Sequence, residues 1–250
     1  QALITGGSKG IGYAAAWSLA REGCNVHIAS RTEADLQSAR DKIVGAFGVE
    51  VGIHACDLSD GDAARALIDT CKDVDILVNN AGAIPAGSVH DVDEARWRKA
   101  WDLKVFGYQN TCRAMLGYMR EREDGVIVNV IGAAGESPTP NYIAGSAGNA
   151  SIMAMTRALG ATSRSYGVRV VGINPGLIVT DRMVTLSRTH AEKRFGDPER
   201  WRETLDQTYP PGQPEHIGDM VAFLASDLSS NTTGTIITID GGSSARGAVL

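Results

Sequence analysis

The sequence has little of several features that would mark its class. No apolar run approaches the ~20 residues that a membrane-spanning helix requires. The four cysteines are scattered without a Cys-x-x-Cys pair and the five histidines are dispersed. We therefore expect reduced thiols, a cytoplasmic location and no metal site. The net charge of −5 argues against general nucleic-acid binding.

What the sequence does contain is a regular alternation of strand-like and helix-like segments. The 43% apolar content and the length of 250 residues suit one α/β domain spanning 1–250. Strands are predicted at 1–5, 24–29, 49–55, 74–79, 125–131, 168–173 and 235–239, and helices near 11–22, 33–45, 61–72, 93–122, 141–166 and 214–226. This order predicts a doubly wound, seven-stranded parallel sheet, the Rossmann fold, with helices on both faces.

The first strand leads into a glycine-rich turn, Thr5-Gly6-Gly7-Ser8-Lys9-Gly10-Ile11-Gly12, and then into a helix. Glycines allow a tight turn and a close approach to a pyrophosphate, and the helix start offers free N–H groups to an anion. Strand, glycine turn and helix together predict a dinucleotide site.

The second predicted strand ends in Ser30 and Arg31, where a dinucleotide fold that prefers NAD carries a carboxylate. Arg31 could stack on adenine and pair with a 2′-phosphate, and Lys9 adds a second positive charge. We therefore expect NADP(H) to be favoured and NAD(H) to be possible. Alternatively, both cations are ordinary solvated surface groups.

Further stretches follow the strand ends in order. Asp57-Leu58 follows the third strand, Asn79-Asn80-Ala81-Gly82 the fourth, and Asn174-Pro175-Gly176 the sixth. With the glycine turn and Tyr142, these motifs resemble the short-chain dehydrogenase/reductase family along the whole chain. The alternative for Asp57 is that it merely caps or precedes the helix at 61–72.

The resemblance implies a cofactor site along these motifs. In the family, the residues after the Pro-Gly turn hold the nicotinamide carboxamide, and the Asn-Ala-Gly run forms the floor beneath the cofactor. The cofactor-binding residues predicted in this way are Gly6, Ser8, Lys9, Gly10, Ile11, Gly12, Ser30, Arg31, Asp57, Leu58, Asn80, Ala81, Gly82, Tyr142, Pro175, Gly176, Ile178 and Thr180.

The same resemblance implies hydride transfer, with Tyr142 exchanging the proton. Ser146 stands where the family has a lysine four residues after the tyrosine, Lys104 where it has an asparagine, and Gly132 where it has a serine. A phenol of pKa ~10 needs a nearby cation to work at neutral pH. We therefore predict that Lys104 reaches Tyr142, with Ser146 and Asn149 completing the network.

Two other points stay open at this stage. Lys104 could instead pair with Asp102 or point to solvent, and the carbonyl-orienting group could be Ser137, Thr139 or backbone N–H groups near Gly132. Residues 182–212 have weak periodicity, several charges and a Pro210-Pro211-Gly212 stop, which predicts a substrate lid. Alternatively, this stretch is a surface excursion with no role.

The expected function is an NADP(H)-dependent ketone reductase or alcohol dehydrogenase for a small or medium organic substrate. The alternatives are a 3-oxoacyl thioester reductase and a weakly active NADP-binding sensor or scaffold. Family resemblance also implies a homo-oligomer, a dimer or tetramer formed through helices 93–122 and 141–166. No nucleic-acid or membrane partner is expected.

Overall fold

Seven parallel strands form one sheet in the order β3-β2-β1-β4-β5-β6-β7 in the structure, a computed structural model that describes residues 1–245. The strands are β1 Ala2–Thr5, β2 Val26–Ser30, β3 Val51–Ala55, β4 Ile76–Asn79, β5 Gly125–Val130, β6 Val168–Pro175 and β7 Ile236–Ile239. The seven predicted strands and their parallel arrangement are thus confirmed, with ends that differ by up to two residues.

In the described residues 1–245, eight α-helices connect and cover the strands. They are α1 Gly10–Arg21, α2 Glu33–Phe47, α3 Gly61–Thr70, α4 Glu94–Trp101, α5 Gly107–Arg122, α6 Ile143–Ser163, α7 Asp181–Phe195 and α8 Pro214–Ala225. Within residues 1–245, each helix is too short or too polar to cross a bilayer.

The helices form one layer on each face of the sheet. Side chains of α1, α2 and α8 pack with strand residues in one buried apolar cluster, whereas those of α3 and α5 pack on the opposite face. The central strands β1 and β4 are buried throughout, as expected for parallel strands covered on both sides.

Three helical predictions need correction. The long helix predicted at 93–122 is two helices, α4 and α5, joined by a π-helical turn at Asp102–Phe106 that contains Lys104. Helix α6 begins at Ile143, so Tyr142 precedes the helix and has a non-helical backbone. The stretch 182–212 is largely helical, because Met183, Ala191 and Trp201 bury one face of α7 against a 3₁₀ turn at Pro198–Thr204.

The order of the strands reverses between β1 and β4, which are neighbours in the sheet. In open α/β sheets, ligands bind beyond the carboxyl ends of the strands at such a point. The glycine turn follows β1 and the Asn80-Ala81-Gly82 run follows β4. The fold therefore brings the two most informative motifs of the sequence to one edge.

Candidate active site

The glycine turn is held to the loop after β4 by hydrogen bonds between side chains and backbone groups. The Asn80 side-chain amide donates to the carbonyl oxygens of Thr5 (3.1 Å) and Gly6 (3.3 Å). The Thr5 hydroxyl accepts from the backbone N–H groups of Asn80 (2.9 Å) and Ala81 (3.1 Å). A Cβ at Gly12 would lie 2.2 Å from the Gly6 carbonyl oxygen, so only glycine fits there.

This turn has the properties of an anion cradle. Gly6 and Gly10 have φ angles of +67° and +56°, which favour glycine. The N-cap of α1 is Lys9, which makes no side-chain capping hydrogen bond, so the first N–H groups of the helix stay available to a ligand. The Lys9 ammonium itself pairs with Asp35 at 2.9 Å on the surface.

The end of β2 presents a buried hydroxyl without a partner. Ser30 Oγ is inaccessible and has no hydrogen-bond partner among residues 1–245. Arg31 beside it is exposed. A buried donor left unpaired is unfavourable unless a ligand satisfies it, so this atom supports a ligand near the end of β2.

Asp57 is held by its own turn, since its carboxylate accepts from the Ser59 N–H (3.0 Å) and hydroxyl (2.8 Å). The Ser59 N–H and the charge of Arg31 lower the pKa of Asp57. The N-cap of α3 is Asp60, whose carboxylate accepts from Asp62 N and Ala63 N. Asp60, and not Asp57, therefore caps this helix, and Asp57 precedes it.

Lys104 is buried, with 7% of its surface exposed, and its stem lies against Gly82. Its Nζ donates to the Tyr108 hydroxyl (2.7 Å) and to the Val130 carbonyl oxygen (2.8 Å). The predicted contact between Lys104 and Tyr142 is therefore wrong, because Lys104 makes these two hydrogen bonds instead. The alternatives, in which Lys104 pairs with Asp102 or points to solvent, are also wrong. Burial lowers the pKa of Lys104 to about 7.

Tyr142 reaches the site from just before α6. Its ring lies over Gly145, where a Cβ would fall 2.0 Å from the ring. The ring packs with Ile84 and Trp97 in a small apolar cluster, and the Gly87 N–H donates to the Asn141 carbonyl oxygen at 2.7 Å beside it. These contacts fix the phenol between the loop after β4 and the start of α6.

The cation near Tyr142 is Arg182 at the start of α7. Its guanidinium donates to the Ile84 carbonyl oxygen, which places it beside the apolar cluster that holds the ring. Burial raises the pKa of Tyr142, and the positive charge of Arg182 opposes that rise. In the sequence, the signal for this residue was indirect, since Arg182 was one of several cations in the predicted lid.

Ser146 and Asn149 lie on the buried face of α6. Ser146 Oγ accepts from the Thr139 N–H at 3.2 Å and so holds the loop before the helix. Asn149 Nδ2 donates to the Gly132 carbonyl oxygen at 3.3 Å, while its Oδ1 finds no partner in the described part of the chain. Ser137 and Thr139, the two hydroxyls considered above, are exposed.

The loop after β6 closes the other end of the site. A Cβ at Gly176 would meet Asp240, and a Cβ at Gly10 would lie 3.3 Å from the Thr180 methyl group. Ile178 is buried and forms a bridge with Gly212. The loop after β6 therefore meets the glycine turn across the edge of the sheet.

A buried asparagine on β6 was not predicted as a site residue. Asn174 Nδ2 donates to Glu136 at 3.3 Å, whereas its Oδ1 has no partner within residues 1–245. Like Asn149, it leaves an oxygen unsatisfied near the carboxyl end of the sheet. The sequence signal for Asn174 was its position between the predicted strand 168–173 and the Pro-Gly turn.

Fold and site together define a doubly wound α/β protein with a dinucleotide cradle and a phenol at the carboxyl edge of its sheet. Residues 6–244 match the family described as enoyl-(acyl carrier protein) reductase. The chain belongs to the short-chain dehydrogenase/reductase family of oxidoreductases, as the sequence motifs indicated.

Two relatives illustrate the range of this similarity. The 2-keto-3-deoxy-L-fuconate dehydrogenase of Xanthomonas campestris pv. campestris is 32% identical over 97% of this chain and 79% of its own. A 3-oxoacyl-[acyl-carrier-protein] reductase of Chlamydia trachomatis serovar D is 30% identical over 96% of each chain.

Among solved structures, L-sorbose reductase from Gluconobacter frateurii in complex with NADPH and L-sorbose is similar, with a TM-score of 0.90. The sequence identity is 26%, over 96% of this chain and 94% of that one.

Proposed function

We propose that this protein is an NADP(H)-dependent oxidoreductase that interconverts a carbonyl and a secondary alcohol on a small or medium organic substrate. The observation that carries this proposal is the Tyr142 phenol, fixed over Gly145 beside the Arg182 guanidinium. This pair lies near the carboxyl edge of the sheet, to which the glycine turn also belongs. The comparison with family members that act on keto and hydroxy compounds supports the same reaction class.

The residues present fit a dinucleotide. The cradle of Gly6, Gly10 and Gly12 has no room for side chains at its tightest point, and the first turn of α1 would hold the pyrophosphate. Ser30 would donate its unpaired hydroxyl to the ribose or its phosphate, and Arg31 would pair with a 2′-phosphate. The NADPH bound by the similar L-sorbose reductase supports NADP(H), with NAD(H) as the alternative.

Tyr142 is the proposed proton donor for the carbonyl oxygen. When bound, the nicotinamide supplies the hydride, and the protein must supply the proton. A buried phenol holds its proton tightly, so a positive charge is needed to stabilise the phenolate left behind. Arg182 provides that charge, and the Ile84 carbonyl oxygen fixes the guanidinium in place.

Lys104, Ser146 and Asn149 are proposed to support this centre rather than to touch Tyr142. Lys104 lies against Gly82, on the proposed floor beneath the cofactor, and burial lowers the pKa of its amine to about 7. Ser146 holds the loop that leads to Tyr142. Asn149 offers an unpaired oxygen next to Gly132, where it would accept a hydrogen bond from a ribose or substrate hydroxyl.

Helix α7 and the following 3₁₀ turn, which bears Trp201, are the proposed substrate lid. They bury their own small cluster, so they can move as a unit without opening the main core. We also propose a homo-oligomer formed across the groove between α5 and α6, which is lined by Val105, Leu116, Ile152 and Met155. A cytoplasmic location completes the proposal.

The similarity to a 3-oxoacyl-[acyl-carrier-protein] reductase favours one alternative, a reductase for 3-oxoacyl thioesters. A further alternative is a weakly active NADP-binding sensor or scaffold. Ser146 and Gly132 keep it open, because they stand where the family resemblance implies a lysine and a serine.

A substrate panel with both cofactors separates these functions. Ketones, diketones, keto acids and a 3-oxoacyl thioester should be offered to the purified chain with NADPH and NADH. The proposal predicts that NADPH fluorescence increases when the cofactor binds. It also predicts that NADPH is oxidised when simple carbonyls are added. Oxidation with the thioester alone would favour the first alternative, and binding without oxidation the second.

Three variants test the proton donor. Tyr142→Phe should reduce turnover by about 10²-fold or more while NADPH still binds. Arg182→Gln should move the pH–rate profile to higher pH, because the phenol loses the charge that lowers its pKa, and Arg182→Lys should restore it partly. An unchanged pH–rate profile in Arg182→Gln would mean that a group other than Arg182 lowers the pKa of Tyr142.

A further inference from the structure

His27, His54 and Cys71 form a cluster that shares no residue with the proposed active site. In the parallel register, His27 pairs with Gly52 and Ala29 with His54, so both imidazoles project from the same face of the sheet. Cys71 follows α3, which packs on that face. The dispersed positions in the sequence predicted no metal site, yet the ligand atoms of these three residues all lie within 4.8 Å of one another.

Gly52 makes the approach of the two imidazoles possible. His27 Nδ1 lies 3.0 Å from His54 Nε2, on the neighbouring strand. A Cβ at Gly52 would fall 2.3 Å from His27 Nδ1, so any side chain there would displace the ring. The short distance between the imidazoles therefore depends on a glycine in the edge strand β3.

Two separations between the donor atoms, both measured from His54 Nε2, are close to those of a tetrahedral zinc site. Zinc bonds of about 2.0–2.1 Å to nitrogen and about 2.3 Å to sulfur imply separations of roughly 3.3 Å between nitrogens and roughly 3.6 Å between nitrogen and sulfur. The observed distances are 3.0 Å between the imidazole nitrogens and 3.5 Å between His54 Nε2 and Cys71 Sγ.

Burial favours the neutral form of all three side chains. Burial lowers the pKa of both His27 and His54, so the imidazoles are neutral at pH 7 and offer lone pairs. Burial raises the pKa of the Cys71 thiol to about 11, and a bound divalent cation would displace its proton. Cys71 is buried, whereas both histidines are only partly buried.

We propose that His27, His54 and Cys71 bind one zinc-type divalent cation, with water as the fourth ligand, at the β2–β3 edge of the sheet. Such an ion would tie the edge strand β3 to β2 and to the end of α3. Because the three ligands meet only in the folded chain, binding would stabilise the native state. The site is independent of the proposed enzymatic activity.

Cobalt(II), a spectroscopic substitute for zinc, tests the proposal in the full chain with its thiols reduced. One equivalent should give thiolate-to-cobalt charge-transfer absorption that zinc then abolishes. Cys71→Ser should remove this absorption, whereas Cys24→Ser, a cysteine outside the cluster, should keep it. Absence of the absorption in the unmodified chain, or its survival in Cys71→Ser, would overturn the proposal in favour of a plain His–His–thiol hydrogen-bond chain.

Zinc titration calorimetry gives a second measurement that does not depend on Cys71. His54→Gln and Gly52→Ala should each weaken zinc binding at least tenfold, the first by removing a ligand and the second by moving His27. NADPH binding by the variants shows that they are folded. Equal zinc affinity in all three proteins would mean that zinc binds elsewhere.

Discussion

The two halves of the carboxyl edge of the sheet are built in different ways. On the nucleotide half, glycines and backbone groups that directly follow β1 and β4 lock together, as in the contact of Asn80 with Gly6. On the half that holds Tyr142, long side chains lie on glycines: Tyr142 on Gly145 in the first turn of α6, and Lys104 on Gly82 in the loop after β4.

Because of this difference, we expect the two halves to respond differently to mutation. The nucleotide half is rigid because its contacts involve backbone atoms that cannot move away. The other half depends on where a few long side chains come to rest, so its geometry can change while the fold persists. Four substitutions test this contrast, in order of decreasing effect.

Gly12→Ala should break the nucleotide half. The new methyl group would lie 2.2 Å from the Gly6 carbonyl oxygen, so the turn must open. We expect loss of NADPH binding and destabilisation by at least about 2 kcal/mol, measured by fluorescence titration and urea unfolding. Gly45→Ala, in α2 with free space around it, should instead stabilise by up to about 1 kcal/mol. Intact NADPH binding in Gly12→Ala would contradict the rigid-turn account.

Gly145→Ala should damage the Tyr142 half while sparing the other. The methyl group would meet the Tyr142 ring, which must move, and misplacing the phenol should lower kcat by up to about a hundredfold. NADPH affinity should stay the same. Gly117→Ala, in α5 with no neighbour near its Cβ, is the matched control and should leave kcat unchanged. An equal kcat in both variants would show that the ring position is irrelevant.

Lys104→Met should change the pH dependence of stability. The pKa of Lys104 is about 7 in the folded chain and ordinarily 10.5, so the unfolded chain binds more protons between these values. Stability should therefore rise with pH from about 7 to 10.5, by up to about 1.4 kcal/mol per pH unit from this group. The variant should lack this rise, whereas replacing the exposed Lys193 should preserve it. Urea unfolding at several pH values measures the stability of both variants. If stability rises with pH equally in both, the rise does not come from Lys104.

Ser30→Ala should have the smallest effect, and only with cofactor present. Its hydroxyl makes no hydrogen bond within residues 1–245, so stability without cofactor should change by no more than about 0.5 kcal/mol. NADPH affinity should fall roughly tenfold. Ser18→Ala should instead lower stability and leave NADPH affinity unchanged, since the Ser18 hydroxyl donates to Asp219 at 3.0 Å. A loss of stability in Ser30→Ala without a change in affinity would assign Ser30 a structural role.

The sequence was a good guide to one half of the site. The glycine turn, the Asn80-Ala81-Gly82 run and the strand order depend on local backbone requirements, which residue types reveal directly. It was a poor guide to the other half. The contact expected between Lys104 and Tyr142 rested on two continuous helices, whereas a π-helical turn carries Lys104 and Tyr142 precedes α6.

The sequence by itself determined the parallel α/β architecture and the place of the dinucleotide cradle, because hydrophobic periodicity and glycine positions act locally along the chain. Only the tertiary structure decided which groups far apart in the chain meet. It set the Lys104 amine on the Val130 carbonyl oxygen, Arg182 near Tyr142, and His27 with His54 and Cys71. Such meetings depend on strand register and on packing across the sheet, to which residues far apart in the chain contribute together.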